Sequence, residues 1–266
     1  MKYVLQFLSI LIISLNLQAC NLLSAAGFSS QGQPTKKVEG ELTSTTANSA
    51  MNVDHATWDK LLKKHVDSEG MVDYKGFMND REQLNQYLQM LSSQKPTDDW
   101  SVQELLAYYI NLYNAYTVDV ILQNYPVKSI QDIDGVFTKG FIPVGGRELS
   151  LGGVENGILR KMDEPRIHFA INCASISCPK LLNEAYTASK INEQLDRVTK
   201  EFINSDKNEI TANSPKLSRI FDWYKKDYKV DGETNVIGFI NQYSNTKINP
   251  QAELQYKEYD WNLNEQ

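Results

Sequence analysis

The chain has 266 residues, and 27 Lys and Arg stand against 33 Asp and Glu, so the formal net charge is −6 at pH 7. This acidic balance, without a basic stripe interleaved with aromatic residues, argues against nucleic acid as a partner. Residues 51–266 are enough for one substantial core, and we expect a single domain there.

The N-terminus has the pattern of an export signal. Lys2 precedes the apolar run VLQFLSILIISLNL, and LQAC follows at once. Leu17, Ala19 and Cys20 fit a bacterial lipobox, although Gln18 is an unusual second residue. We therefore predict a signal peptide over residues 1–19 and lipidation of Cys20. A plain secretory peptide, cut near residues 25 and 26, is the alternative.

Lipidation predicts an exported protein on the periplasmic side of the outer membrane, with the membrane as a partner through its lipid anchor. No other apolar run approaches the roughly 20 residues that a span requires. Without Lys2 the chain has 26 basic and 33 acidic residues, a charge of −7, which gives no electrostatic attraction to lipid. Residues 20–50 are rich in Ser, Thr, Ala, Gly and Gln and predict a flexible tether.

Helices dominate the first half of the predicted domain. HATWDKLLKKHV (55–66) and EQLNQYLQMLSS (82–93) place apolar residues on one helical face. Ser101 and Glu104 then form a capping-box signature before a long helix that is apolar on nearly every side. Asn111 and Asn114 lie one turn apart in this buried helix, and unpaired buried amides are costly. They either tie loops to the helix or orient a catalytic imidazole.

The second half mixes hairpin, strand and helix patterns. FIPVGGREL predicts a hairpin around Gly145 and Gly146, and GGVENGILRKM predicts a helix that carries Glu155 and Arg160. Three later helices are predicted over INEQLDRVTKEFIN, SRIFDWYKKDY and NVIGFINQY, and a terminal strand over ELQYKEYDWNLN. Strands do not alternate regularly with helices, so we predict an α+β fold: a helix-rich single domain with a small, mainly antiparallel sheet.

The segment RIHFAINCASISCPKL (166–181) carries the strongest chemical signal. The alternation IHFAI predicts a half-buried strand that bears His168. Pro179 suits the first turn of a following helix, which places Cys178 near the helix N-cap, where the dipole lowers the pKa of a thiol. If the strand persists, Cys173 points away from His168. We therefore predict Cys178 as the nucleophile and Cys173 as its packing or disulfide partner.

Six blocks between about residues 55 and 264 resemble the family of domains of unknown function DUF547. They are LAYYINLYNAYT, YPVKSI, LSLGGVENGILR, HFAINCASISCP, LSRIFDWYKKDY and YDWNLN. The resemblance implies a Cys/His site at the matching positions Asn111, Asn114, Glu155, Arg160, His168, Cys173 and Cys178. The chain departs from the pattern at Gly152 and Gly153, where the family tends to have acidic residues, and at Asn156, where His is common.

Two functions fit these residues. A cysteine nucleophile needs a base and a group that orients the base, and Cys178, His168 and Glu155 supply the three types. This predicts acyl transfer on peptide, protein or cell-wall amides. The alternative is a non-catalytic envelope binding module, in which Glu155, Arg160 and His168 form a structural network and the cysteines form a disulfide or an inert pair. The C-x4-C spacing is poor for zinc, so we predict neither metal nor cofactor.

Overall fold

The structure is a computed structural model that describes residues 19–44 and 52–266. Most of the predicted signal peptide, including Leu17, therefore lies outside the described residues. Cys20 lies inside them and is an exposed, free cysteine.

The described chain is helix-rich, as predicted, and its class is α+β. Its α-helices are α1 (residues 19–25 as described), α2 (Ala56–His65), α3 (Tyr74–Asn79), α4 (Arg81–Ser93), α5 (Val102–Asn124), α6 (Leu151–Gly157), α7 (Ile191–Ile203), α8 (Ile220–Trp223) and α9 (Val236–Tyr243). The strands are β1 (Ile142–Val144), β2 (Arg147–Leu149), β3 (Lys216–Leu217), β4 (Lys229–Val230), β5 (Glu233–Thr234) and β6 (Gln255–Tyr256). Within residues 19–44 and 52–266 they form three two-stranded sheets: β1–β2 and β4–β5 are antiparallel, and β3–β6 is parallel.

Helix α5 is the centre of the core, as its all-round apolar pattern predicts. Every residue from Gln103 to Leu122 is buried. The Ser101 side chain accepts a hydrogen bond from the Glu104 N–H, which confirms the predicted N-cap. Helices α3, α4, α6 and α7 all contact α5, so the site described below is built on this helix.

The predicted hairpin is also confirmed. Ile142 pairs with Leu149 and Val144 with Arg147 across a two-residue turn. Both turn residues, Gly145 and Gly146, have positive φ values of 56° and 78°. A type I′ turn needs positive φ at both positions, which glycine adopts without steric cost.

The predicted strand over residues 167–171 is wrong. Pro165–Phe169 is a 3-10 helix, begun by Pro165 and capped by the Glu164 side chain, which accepts from the Arg166 N–H. All five residues of the IHFAI segment are buried. Alternation identifies a strand only when one face is buried and the other is exposed. Since every residue of this segment is buried, the alternation does not indicate a strand here.

The predicted helix after Pro179 is absent, and residues 179–186 form irregular chain. Hydrogen bonds from side chains hold this segment, whereas a helix would be held by its own backbone hydrogen bonds. Asn172 donates to the Pro179 carbonyl at 2.7 Å, and Gln194 donates to the Ala185 carbonyl at 2.9 Å. Cys178 therefore does not lie at a helix N-terminus, and the dipole argument for its low pKa fails.

Residues 21–44 pack against the domain and do not form the predicted flexible tether, whose residues 45–50 lie outside the described part of the chain. Ser24 and Leu42 are buried. Gln33 donates to the Val144 carbonyl at 3.3 Å, and the Val38 N–H donates to the Met162 carbonyl at 2.8 Å. The polar composition of this segment concealed these specific contacts. No helix among the described residues is both long and apolar enough to cross a membrane.

Candidate functional site

Glu155 enters the site from α6. The Ser150 side chain caps this helix by accepting from the Gly153 N–H at 3.0 Å. Glu155 is buried, and its side chain interacts with the Tyr224 hydroxyl. Burial, followed by the charge of Glu155, raises the pKa of Tyr224. Tyr224 thus stays a neutral hydroxyl beside the Glu155 side chain.

Arg160, Asp227 and His168 form one polar network. Arg160 lies in a 3-10 turn, Leu159–Met162, because α6 ends at Gly157 before the predicted helix is complete. Its Nε and Nη2 atoms donate to the two Asp227 oxygens at 2.6 and 2.8 Å, and His168 Nε2 lies 2.8 Å from Asp227 Oδ2. Burial raises the pKa of Asp227, but the hydrogen bonds from His168 and Arg160 outweigh it and hold the pKa well below its ordinary value.

His168 is enclosed by aromatic rings. It stacks on Tyr224 with ring centroids 4.0 Å apart, and the Tyr228 ring meets it edge-on at 5.8 Å. Its Nδ1 is buried and has no hydrogen-bond partner, and its Nε2 bonds Asp227. His168 therefore does not form the predicted base-to-thiol contact with either cysteine. It supports Tyr224 and, through that ring, Glu155.

The cysteine loop is closed by Asn172. This side chain accepts from the Ala174 N–H at 2.9 Å and donates to the Pro179 carbonyl at 2.7 Å. Ala174 has a φ of 57°, in the left-handed region. The sharp turn brings Cys178 back beside Cys173.

The two sulfur atoms lie 2.8 Å apart, and both cysteines are free. The Cys173 N–H donates to Cys178 Sγ at 2.9 Å. The Ser175 and Tyr259 hydroxyls lie 3.3 and 3.4 Å from Cys173 Sγ. Cys173 is thus surrounded by three side-chain groups that can donate a hydrogen bond to a thiolate.

The two thiols differ in acidity, opposite to the prediction. The hydrogen bond between the two thiols lowers the pKa of Cys173, with smaller contributions from Ser175 and Tyr259 against the effect of burial. Burial raises the pKa of Cys178 well above its ordinary value. Cys173 is half-buried and Cys178 is buried, so Cys173 is the more exposed as well as the more acidic thiol.

A cavity of about 340 Å³ joins these groups. Cys173, Cys178, Glu155 and His168 all line it. Much of its remaining wall is aromatic, and these rings are Tyr113, Phe137, Trp223, Tyr224, Tyr259 and Trp261. The site therefore combines an acidic thiol and a carboxylate with a mostly apolar enclosure, which is typical of a small-ligand site.

Asn111 and Asn114 tie loops to α5, one of the two roles predicted for them. Asn111 donates to the Tyr186 carbonyl at 2.7 Å and accepts from the Tyr186 N–H at 3.0 Å. Asn114 donates to the Ala170 carbonyl at 3.0 Å and accepts from the Asn172 N–H at 2.8 Å. Neither pair of contacts involves the imidazole of His168. Asn114 instead fixes the chain one residue before Cys173.

The Asn114→Ala protein should be about 1–3 kcal/mol less stable than the wild type, because two buried backbone groups lose their partner. A urea midpoint measures this loss. Asn124→Ala is a matched control on the same helix, since Asn124 donates only to the Val120 carbonyl and is exposed. We expect the control to change stability by at most about 0.5 kcal/mol. Equal midpoints for both variants would contradict this account of Asn114.

Sequence reasoning missed Asp227, Tyr224, Asn172 and Tyr259. Asp227 lies 59 positions after His168, and Tyr259 lies 86 positions after Cys173. One signal was available: both tyrosines and Asp227 fall inside blocks of the recognised resemblance.

The departures from the family pattern lie where the N-terminal segment packs. A Cβ on Gly152 would lie 3.1 Å from the Ala25 Cβ, and one on Gly153 would lie 3.1 Å from the Ser24 Oγ. Asn156 donates to the Ala25 carbonyl at 2.9 Å and accepts from Arg160 at 2.9 Å. Small residues on α6 therefore let this segment approach the site closely.

Among the described residues, no group of three or more His, Cys, Asp and Glu could hold a metal ion.

Residues 97–203 match the model of the family described as protein of unknown function, DUF547. This range contains Asn111, Asn114, Glu155, Arg160, His168 and both site cysteines, whereas Asp227 and Tyr259 lie beyond it. No curated protein matches the chain, and no solved structure matches it.

Proposed function

We propose that this protein is an exported bacterial lipoprotein, anchored through Cys20 on the periplasmic side of the outer membrane, and that its cavity carries out thiol-dependent acyl transfer with Cys173 as the nucleophile. One observation carries the catalytic part. Cys173 Sγ lines the cavity, within reach of the Cys178, Ser175 and Tyr259 side chains and in the same cavity as Glu155. The apolar leader, the lipobox-like residues and the exposed Cys20 support the anchor.

The chemistry follows from the positions of these groups. The Cys173 thiolate attacks the carbonyl carbon of an amide and forms a thioester while the C–N bond breaks. The leaving nitrogen takes a proton through Glu155, which accepts that proton from the Cys173 thiol as the thiolate forms. Water or an amine then attacks the thioester and returns its proton to Glu155, which releases the acyl product and restores the thiolate. Tyr224 positions Glu155, and His168 positions Tyr224.

A second candidate function is thiol–disulfide exchange, and the 2.8 Å separation of the two sulfurs favours it. Here the Cys173 thiolate attacks the disulfide of a partner and releases one partner thiol. The Cys178 thiolate then attacks the Cys173 sulfur in the mixed disulfide, which closes the Cys173–Cys178 bond and releases the second partner thiol.

One set of probes separates the candidates. The reduced protein is treated with a p-nitrophenyl acyl ester and, separately, with glutathione disulfide, and peptide masses are measured. Acyl transfer predicts turnover of the ester by the wild type, an acyl group that persists on Cys173 in the Glu155→Gln protein, and continued turnover by the Cys178→Ser protein. Exchange predicts a glutathione adduct trapped on Cys173 in that variant and a Cys173–Cys178 disulfide in the wild type. If neither probe modifies Cys173, both are wrong and the non-catalytic binding module remains.

A further inference from the structure

The N-terminal segment, residues 20–30, has one face on the domain and another in solvent. Ser24 is fully buried, and a Cβ on Gly157 would lie 2.5 Å from its Oγ and 2.6 Å from the Ser29 carbonyl oxygen. Leu22, Leu23 and Phe28 are 60%, 51% and 79% exposed. The segment is thus fixed against α6 while it presents three large apolar side chains outward.

This exposure is unusual for the molecule. The large apolar side chains that are exposed in the described chain are Leu22, Leu23, Phe28, Met78 and Trp223. Three of the five lie within eight residues after Cys20, and a fourth, Trp223, lines the cavity. A cluster of apolar side chains beside a lipid attachment point fits the interface of a bilayer, where such side chains enter the boundary between headgroups and acyl chains.

The cavity lies close to the attachment point. Ala25 lines the cavity, and residues 19–25 are helical. At about 1.5 Å per residue, Cys20 and Ala25 are separated by about 8 Å along the helix axis. A headgroup layer is about 6 Å thick, since the bilayer measures 40–45 Å with its headgroups and about 30 Å without them. A lipid on Cys20 would therefore hold this wall of the cavity at the membrane surface.

We propose that the cavity faces the bilayer and that its substrate is an amide-bearing molecule anchored in the same membrane, such as a lipid-linked peptide. This inference rests on the proposed lipid anchor and on Cys173 as the reactive thiol. Exposed Trp223 marks the open side of the cavity, and Trp261 packs beside it with ring centroids 6.0 Å apart. An amphiphile would extend from the headgroup layer past these rings to the Cys173 sulfur.

The test uses the full-length lipidated protein in phosphatidylcholine vesicles that contain a phospholipid with a maleimide headgroup. We expect the maleimide lipid to modify Cys173, which peptide mass spectrometry detects, and soluble N-ethylmaleimide to modify it as well. The control is Gly157→Val, whose side chain would displace Ser24 and Ser29 and release the segment from α6. In this variant, lipid labelling should fall several-fold while soluble labelling persists.

A second readout does not depend on thiol chemistry. Vesicles of brominated phospholipid should quench the fluorescence of the wild type, and the Trp223→Phe, Trp261→Phe protein should lose that quenching, because Trp58 and Trp100 are buried. If N-ethylmaleimide modifies Cys173 but the maleimide lipid does not, and no quenching occurs, the cavity faces away from the bilayer and the inference is wrong. If no reagent modifies Cys173 but quenching occurs, the proposed chemistry fails while the orientation stands. A protein that does not float with vesicles contradicts the anchor and the inference together.

Discussion

At pH 7 the Asp227→Ala protein should be about 3 kcal/mol less stable than the wild type. Asp227 is the common acceptor for Arg160 and His168, and its removal leaves a partly buried guanidinium without the carboxylate that binds it. The Arg160 and Asp227 side chains are 29% and 21% exposed, which places the loss at the lower end of the range for a buried pair. Chemical denaturation measures the difference.

Asp222→Ala is the matched control for this substitution. Asp222 pairs with Arg219 at 3.1 Å, and their side chains are 32% and 42% exposed. An exposed ion pair of this kind contributes at most about 1 kcal/mol. If the Asp227→Ala and Asp222→Ala proteins lose the same amount of stability, the contacts of Asp227 contribute no more than those of an exposed ion pair.

The difference in stability between the wild type and the Asp227→Ala protein should also decrease as the pH falls. The folded protein holds the pKa of this carboxyl well below the value of about 3.9 in an unfolded chain. The stabilisation is therefore fully present above about pH 4 and is lost as the pH falls toward the folded pKa. The wild type and the Asp227→Ala protein should converge in stability below pH 4. A difference that stays constant between pH 7 and pH 3 would contradict this assignment.

The second large effect concerns Cys178. At pH 6, the Cys178→Ala protein should react with iodoacetamide at Cys173 about tenfold more slowly than the wild type. The hydrogen bond between the two thiols is the main cause of the lowered Cys173 pKa. A hydrogen bond to a charged group contributes about 1.5 kcal/mol, so its loss should reduce the thiolate fraction about tenfold.

Cys178→Ser separates the hydrogen bond from the sulfur. The serine hydroxyl can still donate to Cys173, so labelling of Cys173 should remain close to that of the wild type. Rates for both variants should converge at high pH, where Cys173 is ionised in each. A Cys178→Ala rate equal to the wild-type rate at pH 6 would remove Cys178 as the source of the acidity.

The long, strongly patterned elements were predictable from the sequence. Helix α5 follows from a capping residue at Ser101 and a run of apolar residues too long for any other element. The β1–β2 hairpin follows from two glycines, whose backbone can adopt the positive φ values of its turn. These features depend on contacts close in sequence, which local patterns report directly.

The centre of the site was less predictable because its geometry depends on distant partners. His168 and Cys178 were recognised by residue type, but the environments predicted for them were wrong. His168 lies in a 3-10 helix and not in the predicted strand, and an irregular segment follows Cys178 where a helix was predicted. Asp227 and Tyr259 are brought in by tertiary folding from the last forty residues of the chain. Spacing along the sequence could not show that Asp227 would bind His168 or that Tyr259 would reach Cys173.

The amide side chains of α5 give the site an unusual kind of rigidity. Asn114 and Asn111 bind both backbone groups of their partner loops, at residues 170–172 and at Tyr186, although those loops have no regular structure of their own. Segments without regular structure commonly open by local unfolding at little cost in free energy. Here, opening must break hydrogen bonds to α5, a helix that is buried on all sides from Gln103 to Leu122. The chain next to Cys173 therefore belongs to the cooperative unit of the core, and it should separate from α5 only when that unit unfolds.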